Sequence, residues 1–259
     1  MADPDDLLRK ALQFRAVRQA LGYLGLALPL ALIGYSRLSG LPLETSVSAY
    51  YYTPMGDVFV GALWAIGVFL VAYLGYERTE TERTSGRLVD WFSDVWVSRT
   101  AGLAAIGVAI FPTSAPSACD TVSPCPVTGI APVVLIHYIS AALFFLCIAL
   151  FCLVLFTRGD GTESNIAVDH GRRHTRIAWT PRNRYFVACG IVILITLLGI
   201  GLYGLALWLG LMAITAWFDA WNGFFWLEVV AILAFALAWL EKGRAAISPP
   251  TMTRRMLSR

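Results

Sequence analysis

Residues 132–156, PVVLIHYISAALFFLCIALFCLVLF, contain no Asp, Glu, Lys or Arg. A helix of about 20 mostly apolar residues crosses the roughly 30 Å hydrocarbon core of a bilayer, because each residue adds about 1.5 Å. An uncharged run of this length is longer than a buried strand or an ordinary core helix requires. The stretch therefore predicts a membrane-spanning helix.

Charge-poor runs of similar length recur on both sides of this stretch. Six spans are predicted in all: 20–37, 57–76, 100–117, 132–156, 185–207 and 222–240. The whole chain is 58% hydrophobic and 14% charged, which leaves too few polar side chains to cover a water-soluble domain. The sequence thus predicts an all-α, polytopic protein with a single membrane domain over residues 1–259, and argues against a soluble, disordered or nucleic-acid-binding protein.

Positive charge is distributed very unevenly between the predicted loops. Arg37 is the one basic residue on one side of the predicted membrane, and the other 19 of the 20 Lys and Arg residues lie on the opposite side. Positively charged loops stay in the cytoplasm. The bias predicts that both termini are cytoplasmic and that the protein lies in the cell inner membrane.

The terminal segments and the cysteines allow further predictions. Residues 1–19 combine apolar and basic positions in a pattern typical of a helix lying on the inner membrane surface, and residues 241–259 form a cytoplasmic tail. Cys119 and Cys125 are separated by five intervening residues in a loop without Lys or Arg on the exterior side, which favours a disulfide bond. Cys147, Cys152 and Cys189 lie inside spans and are expected to be small core residues.

Polar residues inside the spans are the candidates for function, because an unpaired carboxylate in hydrocarbon is costly. Asp57, His137 and Glu228 all fall near the exterior ends of their helices, at similar depth. We therefore expect Glu228 to face the bundle interior with His137 as its partner. The predicted ligand-binding residues are Tyr51, Tyr52, Asp57, His137, Tyr138, Asn222 and Glu228.

Several functions fit these residues. The sequence favours a non-enzymatic protein that binds a lipid or small ligand, or an accessory subunit of a membrane complex, with membrane lipids, other proteins or a second copy as partners. The first alternative is a metal-dependent lipid hydrolase in which Asp57, His137 and Glu228 are the metal or acid–base groups. A proton-coupled transporter is a third hypothesis, and a buried network that fixes helix register is the structural alternative.

Familiar site motifs do not support a cofactor or a metal. Gly199, Gly201 and Gly204 match a dinucleotide-binding pattern by letter, but they lie inside a predicted span, where close helix packing is the better interpretation. His170 and His174 have arginines between them, which disfavours a cation. The sequence predicts neither a cofactor nor a metal ion.

Four stretches carry a resemblance to a known group of proteins: residues 46–78, 101–113, 137–146 and 180–190. They include SVSAYYYTPMGDVF, HYISAALFFL and TPRNRYFVACG. In these stretches the chain resembles an uncharacterised family of bacterial six-helix membrane proteins with a domain of unknown function. It is more distantly similar to the damage-regulated autophagy modulator group. The resemblance implies an integral membrane protein without an established activity.

The charge bias generates a test of topology. Single cysteine probes near Glu80 and Asn165 should be shielded from a membrane-impermeant thiol reagent in intact cells, because both loops are predicted to be cytoplasmic. A probe near Thr45 should react. Labelling near Asn165 from outside the cell would contradict the six-span prediction.

Overall fold

Seven α-helices make up most of the described chain. The structure, a computed structural model, describes residues 4–73, 93–114, 131–157, 166–169, 172–175 and 180–244. The helices are α1 (Pro4–Ser39), α2 (Gly56–Ala72), α3 (Asp94–Ile110), α4 (Ala131–Leu150), α5 (Pro181–Trp208), α6 (Met212–Asp219) and α7 (Gly223–Arg244). A 3₁₀ helix (Ser48–Tyr52) precedes α2, and a π-helical turn (Phe151–Leu155) continues α4.

The all-helical architecture expected from the sequence is confirmed for these residues, apart from one short hairpin. Four helical segments are long and apolar enough to cross a membrane: Arg15–Ser39, Pro132–Leu155, Pro181–Trp208 and Gly223–Arg244. Helix α2 is apolar but has only 17 residues, and α3 also has 17. The hairpin, β1 (Ile166–Asp169) paired antiparallel with β2 (Arg172–Thr175), lies in a segment that was predicted to be a loop.

The boundaries of α3 and α1 differ from the predicted spans. Helix α3 begins at Asp94, where the Ser93 hydroxyl accepts a hydrogen bond from the Trp96 N–H, and it ends before Pro112 instead of continuing to residue 117. The N-cap fixes the first boundary, and proline disfavours helix at the residue before it. Helix α1 starts at Pro4, so the segment predicted to lie on the membrane surface is continuous with the first span.

The helices pack as a closed ring in chain order. Helix α1 contacts α2, α2 contacts α3, α3 contacts α4, α4 contacts α5, α5 contacts α7, and α7 returns to α1. The α1–α7 and α2–α3 pairs pack most extensively, whereas the α1–α2 and α4–α5 pairs are the loosest of the ring. Helix α6 is a short connection that packs on α5 and α7.

The core divides into two clusters along the ring axis. The larger one surrounds Trp239, which is fully buried against the rings of Tyr73, Phe151 and Phe156. The smaller one lies toward the 3₁₀ helix and contains Tyr50, Leu28, Leu32, Phe59 and Phe225. The three cysteines inside the helices, Cys147, Cys152 and Cys189, are buried and free, as expected.

Two glycines, Gly67 and Gly102, allow α2 and α3 to approach each other closely. A Cβ added at Gly67 would lie 2.6 Å from Ile106 Cγ1, and one added at Gly102 would lie 2.6 Å from the Gly67 carbonyl oxygen. The two backbones are therefore in contact, as small residues permit in membrane helices. In α5, Gly199 packs on Leu227, whereas a Cβ at Gly201 or Gly204 would meet nothing within 4 Å, so the predicted close packing holds for Gly199 alone.

Replacement of Gly67 by Leu should destabilise the protein by about 1–3 kcal/mol, since the new side chain has no room at the α2–α3 contact. Gly61→Leu in the same helix is the matched control, because a Cβ there meets nothing within 4 Å. Chemical unfolding in detergent micelles measures both. Equal stability of the two variants would contradict the described α2–α3 packing.

Candidate functional site

The connection between α1 and α2, residues 40–55, folds over one end of the helix ring, and we call it the connecting segment. Helix α1 ends where Gly40 adopts a positive φ of 68° and the Leu41 N–H donates to the Ser36 carbonyl at 3.0 Å. This is the usual glycine-terminated helix end. It turns the chain back across the bundle, which brings residues 46–52 over the smaller core cluster.

Glu228 in α7 binds this segment directly. Its Oε2 accepts a hydrogen bond from the Val47 N–H at 2.5 Å, and its Oε1 lies at 3.5 Å from the Ser48 hydroxyl, a weak contact. Val47 is 2% exposed, so its N–H would otherwise be buried without an acceptor. The carboxylate thus links two parts of the chain that are 181 residues apart.

Two tyrosines attach the same segment to other helices. The Tyr50 hydroxyl shares a 2.6 Å hydrogen bond with the Ser36 hydroxyl of α1, and its ring is 1% exposed. The Tyr52 hydroxyl donates to the Thr113 carbonyl, just after α3, at 2.6 Å. Burial, with a smaller contribution from Tyr51, raises the pKa of the Tyr52 phenol and so favours its protonated, hydrogen-donating form.

A small cavity lies below the connecting segment, inside the ring, and we call it the central cavity. Its volume is about 50 Å³, enough for a few water molecules or one small chemical group. Glu228 is partly buried and is one of the residues that line this space. The other lining residues are Leu28, Val47, Ser48, Phe59, Leu63, Ile66, Val108, Ala141, Phe144, Phe145, Ile232 and Phe235.

The predicted pairing of Glu228 with His137 is wrong. The His137 ring is 2% exposed, and its Nδ1 lies 2.7 Å from the Phe111 carbonyl oxygen, beyond the end of α3. The carbonyls at the end of a helix lack intrahelical partners, and His137 satisfies one of them. Val47 of the connecting segment, and not His137, is the partner of Glu228.

Asp57 also lies apart from Glu228. It is exposed at the start of α2 and lines a second, more open depression between α1 and α2, which we call the lateral groove. The groove has a volume of about 350 Å³ and lies at the loose α1–α2 contact. Its lining is Leu24, Ala27, Leu28, Ala31, Asp57, Val58, Gly61 and Ala62.

The remaining predicted site residues are not among those that line the central cavity. Tyr51 packs edge-on against Tyr52, with ring centroids 5.2 Å apart. The Tyr138 hydroxyl is 3.4 Å from the Thr113 hydroxyl, which donates to it. Asn222 adopts a positive φ of 54° in the turn before α7. Their roles in ligand binding stay predictions.

The described residues do not bring the proposed metal ligands together. No group of three or more His, Cys, Asp and Glu side chains suited to a metal ion occurs within the described ranges. Cys119 and Cys125 lie outside those ranges, so their disulfide stays a prediction. The residues that sequence reasoning missed are Val47, which acts through its backbone N–H, and Leu28, which lines both the cavity and the groove.

The fold and the site together define a class, a helical bundle of membrane-spanning type with a carboxylate beside an internal apolar cavity. The chain belongs to the family described as "Protein of unknown function (DUF998)", which matches residues 20–221. The matched range includes the connecting segment and ends before α7. No curated protein and no solved structure matches the chain.

The Val47–Glu228 contact predicts how substitutions at Glu228 affect stability. Glu228→Ala should cost about 1–3 kcal/mol, because the buried Val47 N–H loses its acceptor. Glu228→Gln should cost less, since the amide oxygen still accepts. Unfolding by denaturant in micelles measures both changes.

Glu241→Ala in the same helix is the control, because Glu241 makes only a 3.9 Å ion pair with the exposed Arg244. It should change stability by less than about 0.5 kcal/mol. A Glu228→Ala variant as stable as Glu241→Ala would show that the contact does not hold the segment.

Proposed function

We propose that this protein is a non-enzymatic, six-span membrane protein that binds a small ligand at Glu228 in the central cavity. The observation that carries the proposal is that Glu228 is fixed by the Val47 N–H and also lines the cavity. A carboxylate has about four acceptor sites, and the connecting segment uses up to three of them, through the Val47 N–H, the Ser48 N–H and the Ser48 hydroxyl. About one acceptor site is therefore left for a ligand.

The lining of the cavity selects the chemistry of that ligand. Apart from Glu228 and Ser48 its side chains are apolar, and four of them are phenylalanines. An ammonium group or another strong donor pairs with the carboxylate, and aromatic faces attract a cation. A negatively charged ligand is disfavoured, since it would place two like charges in an apolar space. A small primary amine fits this arrangement best.

The membrane arrangement is part of the proposal. Helices α2 and α3 complete six spans with the four longer helices, both termini lie in the cytoplasm, and the membrane is the cell inner membrane. The positive-charge bias of the loops supports this orientation. The connecting segment and Glu228 then lie near the exterior face. The resemblance to bacterial six-helix proteins agrees with the same arrangement, and membrane lipids surround the ring.

The hydrolase alternative is less well supported than ligand binding. It requires Asp57, His137 and Glu228 at one site, whereas Asp57 lines the lateral groove and His137 binds the Phe111 carbonyl. Glu228 alone borders the central cavity among these three. The geometry therefore favours binding over metal-assisted chemistry.

A test uses methylamine, methanol and formate, each the size of one small chemical group, as probes of the purified protein in nanodiscs. The thermal unfolding midpoint should rise most with methylamine, less with methanol and least with formate. Glu228→Gln should remove the preference for the amine, because the glutamine amide is uncharged, and Glu241→Gln should retain it. A formate effect equal to that of methylamine, or a preference that persists in Glu228→Gln, would contradict the proposal.

A further inference from the structure

The lateral groove and the central cavity have one lining residue in common. Leu28 of α1 lines both spaces, with the groove on one side and Glu228 among the cavity residues on the other. Leu28 is 3% exposed and belongs to the smaller core cluster.

The difference in size between the two spaces suits a ligand that has one alkyl chain and a small polar head group. The central cavity, at about 50 Å³, takes one small polar group, whereas the groove, at about 350 Å³, has room for an alkyl chain. The groove follows α1 from Leu24 to Ala31, a rise of about 10 Å, and small residues floor it on both helices. An octyl chain has a similar length.

The ionisable side chains that line the groove and the cavity are all acidic. Asp57 lines the groove, Glu228 lines the cavity, and no Lys, Arg or His occurs among the residues that line either space. The path therefore complements a cationic head and an apolar tail.

We propose that the lateral groove is the second half of the binding site and that its ligand is a single-chain primary amine dissolved in the membrane. The ammonium head passes Leu28 to reach Glu228, and the alkyl tail stays in the groove between α1 and α2. The ligand thus reaches the site sideways from the bilayer, through the loose α1–α2 contact of the ring. This inference rests on the proposed ligand site at Glu228 and adds the class of ligand and its route.

Gly61 provides a substitution that fills the groove without disturbing the core. It lines the groove, and a Cβ added there meets nothing within 4 Å, so Gly61→Phe places its ring in the space assigned to the tail. Gly201 in α5 is equally open but is not among the groove residues, which makes Gly201→Phe the matched control. Thermal unfolding of both variants checks that they fold.

The experiment is photolabelling in phosphatidylcholine nanodiscs with two probes, octylamine and octanoic acid, each carrying a diazirine at mid-chain. Peptide mapping should place the amine label on residues 24–31 and 57–62, about tenfold above the acid label, the ratio expected for one charge-assisted hydrogen bond. Gly61→Phe and Glu228→Gln should each lower this label to the level of the acid, and Gly201→Phe should leave it unchanged.

Three results would overturn the inference: an even spread of the amine label over the lipid-facing helices, equal labelling of the groove by the acid, or a groove label that persists in Gly61→Phe. The methylamine measurement separates these failures from failure of the proposed function, because methylamine has no alkyl chain to place in the groove. A Glu228-dependent methylamine effect without a localised octylamine label would overturn the groove proposal and keep the Glu228 site. Absence of the methylamine effect would overturn both.

Discussion

The hydrogen bond between the Val47 N–H and the Glu228 carboxylate is the contact on which this end of the bundle depends. A carboxylate deep among apolar helices requires a donor, and a buried N–H outside regular helix hydrogen bonding requires an acceptor. Each group supplies what the other lacks. The contact also holds the connecting segment over the ring, where Tyr50 and Tyr52 bind α1 and the end of α3, and so places Val47 and Ser48 in the lining of the central cavity.

The helices could be predicted from the sequence because their signal is local. Uncharged runs of about 20 residues are typical of membrane helices whatever their neighbours are, and all six predicted spans overlap helices of the structure. The bounds of α3 differ from the third predicted span for two reasons. Hydropathy does not detect the N-cap at Ser93, which starts the helix ahead of the apolar run, and Pro112 follows the end of the helix. Helix α6 and the β1–β2 hairpin were missed because both are short and carry little periodic signal.

The site was predicted only in part. The free-energy cost of a polar side chain inside the membrane correctly identified Glu228 and His137 as groups that require partners. Both have backbone partners, the Val47 N–H for Glu228 and the Phe111 carbonyl for His137. A backbone partner cannot be recognised from residue types. The equal depth of Glu228 and His137 in the membrane therefore does not imply that they are in contact. The lateral groove is likewise invisible in the sequence, since Leu28 and Gly61 acquire their roles only from the α1–α2 contact.

The most direct test of this account is the amide proton of Val47, observed by NMR of selectively labelled protein in nanodiscs. A strong hydrogen bond to a carboxylate moves an amide proton downfield. The account predicts a downfield Val47 signal that shifts upfield in Glu228→Gln and further in Glu228→Ala, while the Ala49 amide, which donates to the Ser46 hydroxyl, changes less. A Val47 signal that is the same in all three proteins would contradict the contact on which the segment, the cavity and the proposed ligand site depend.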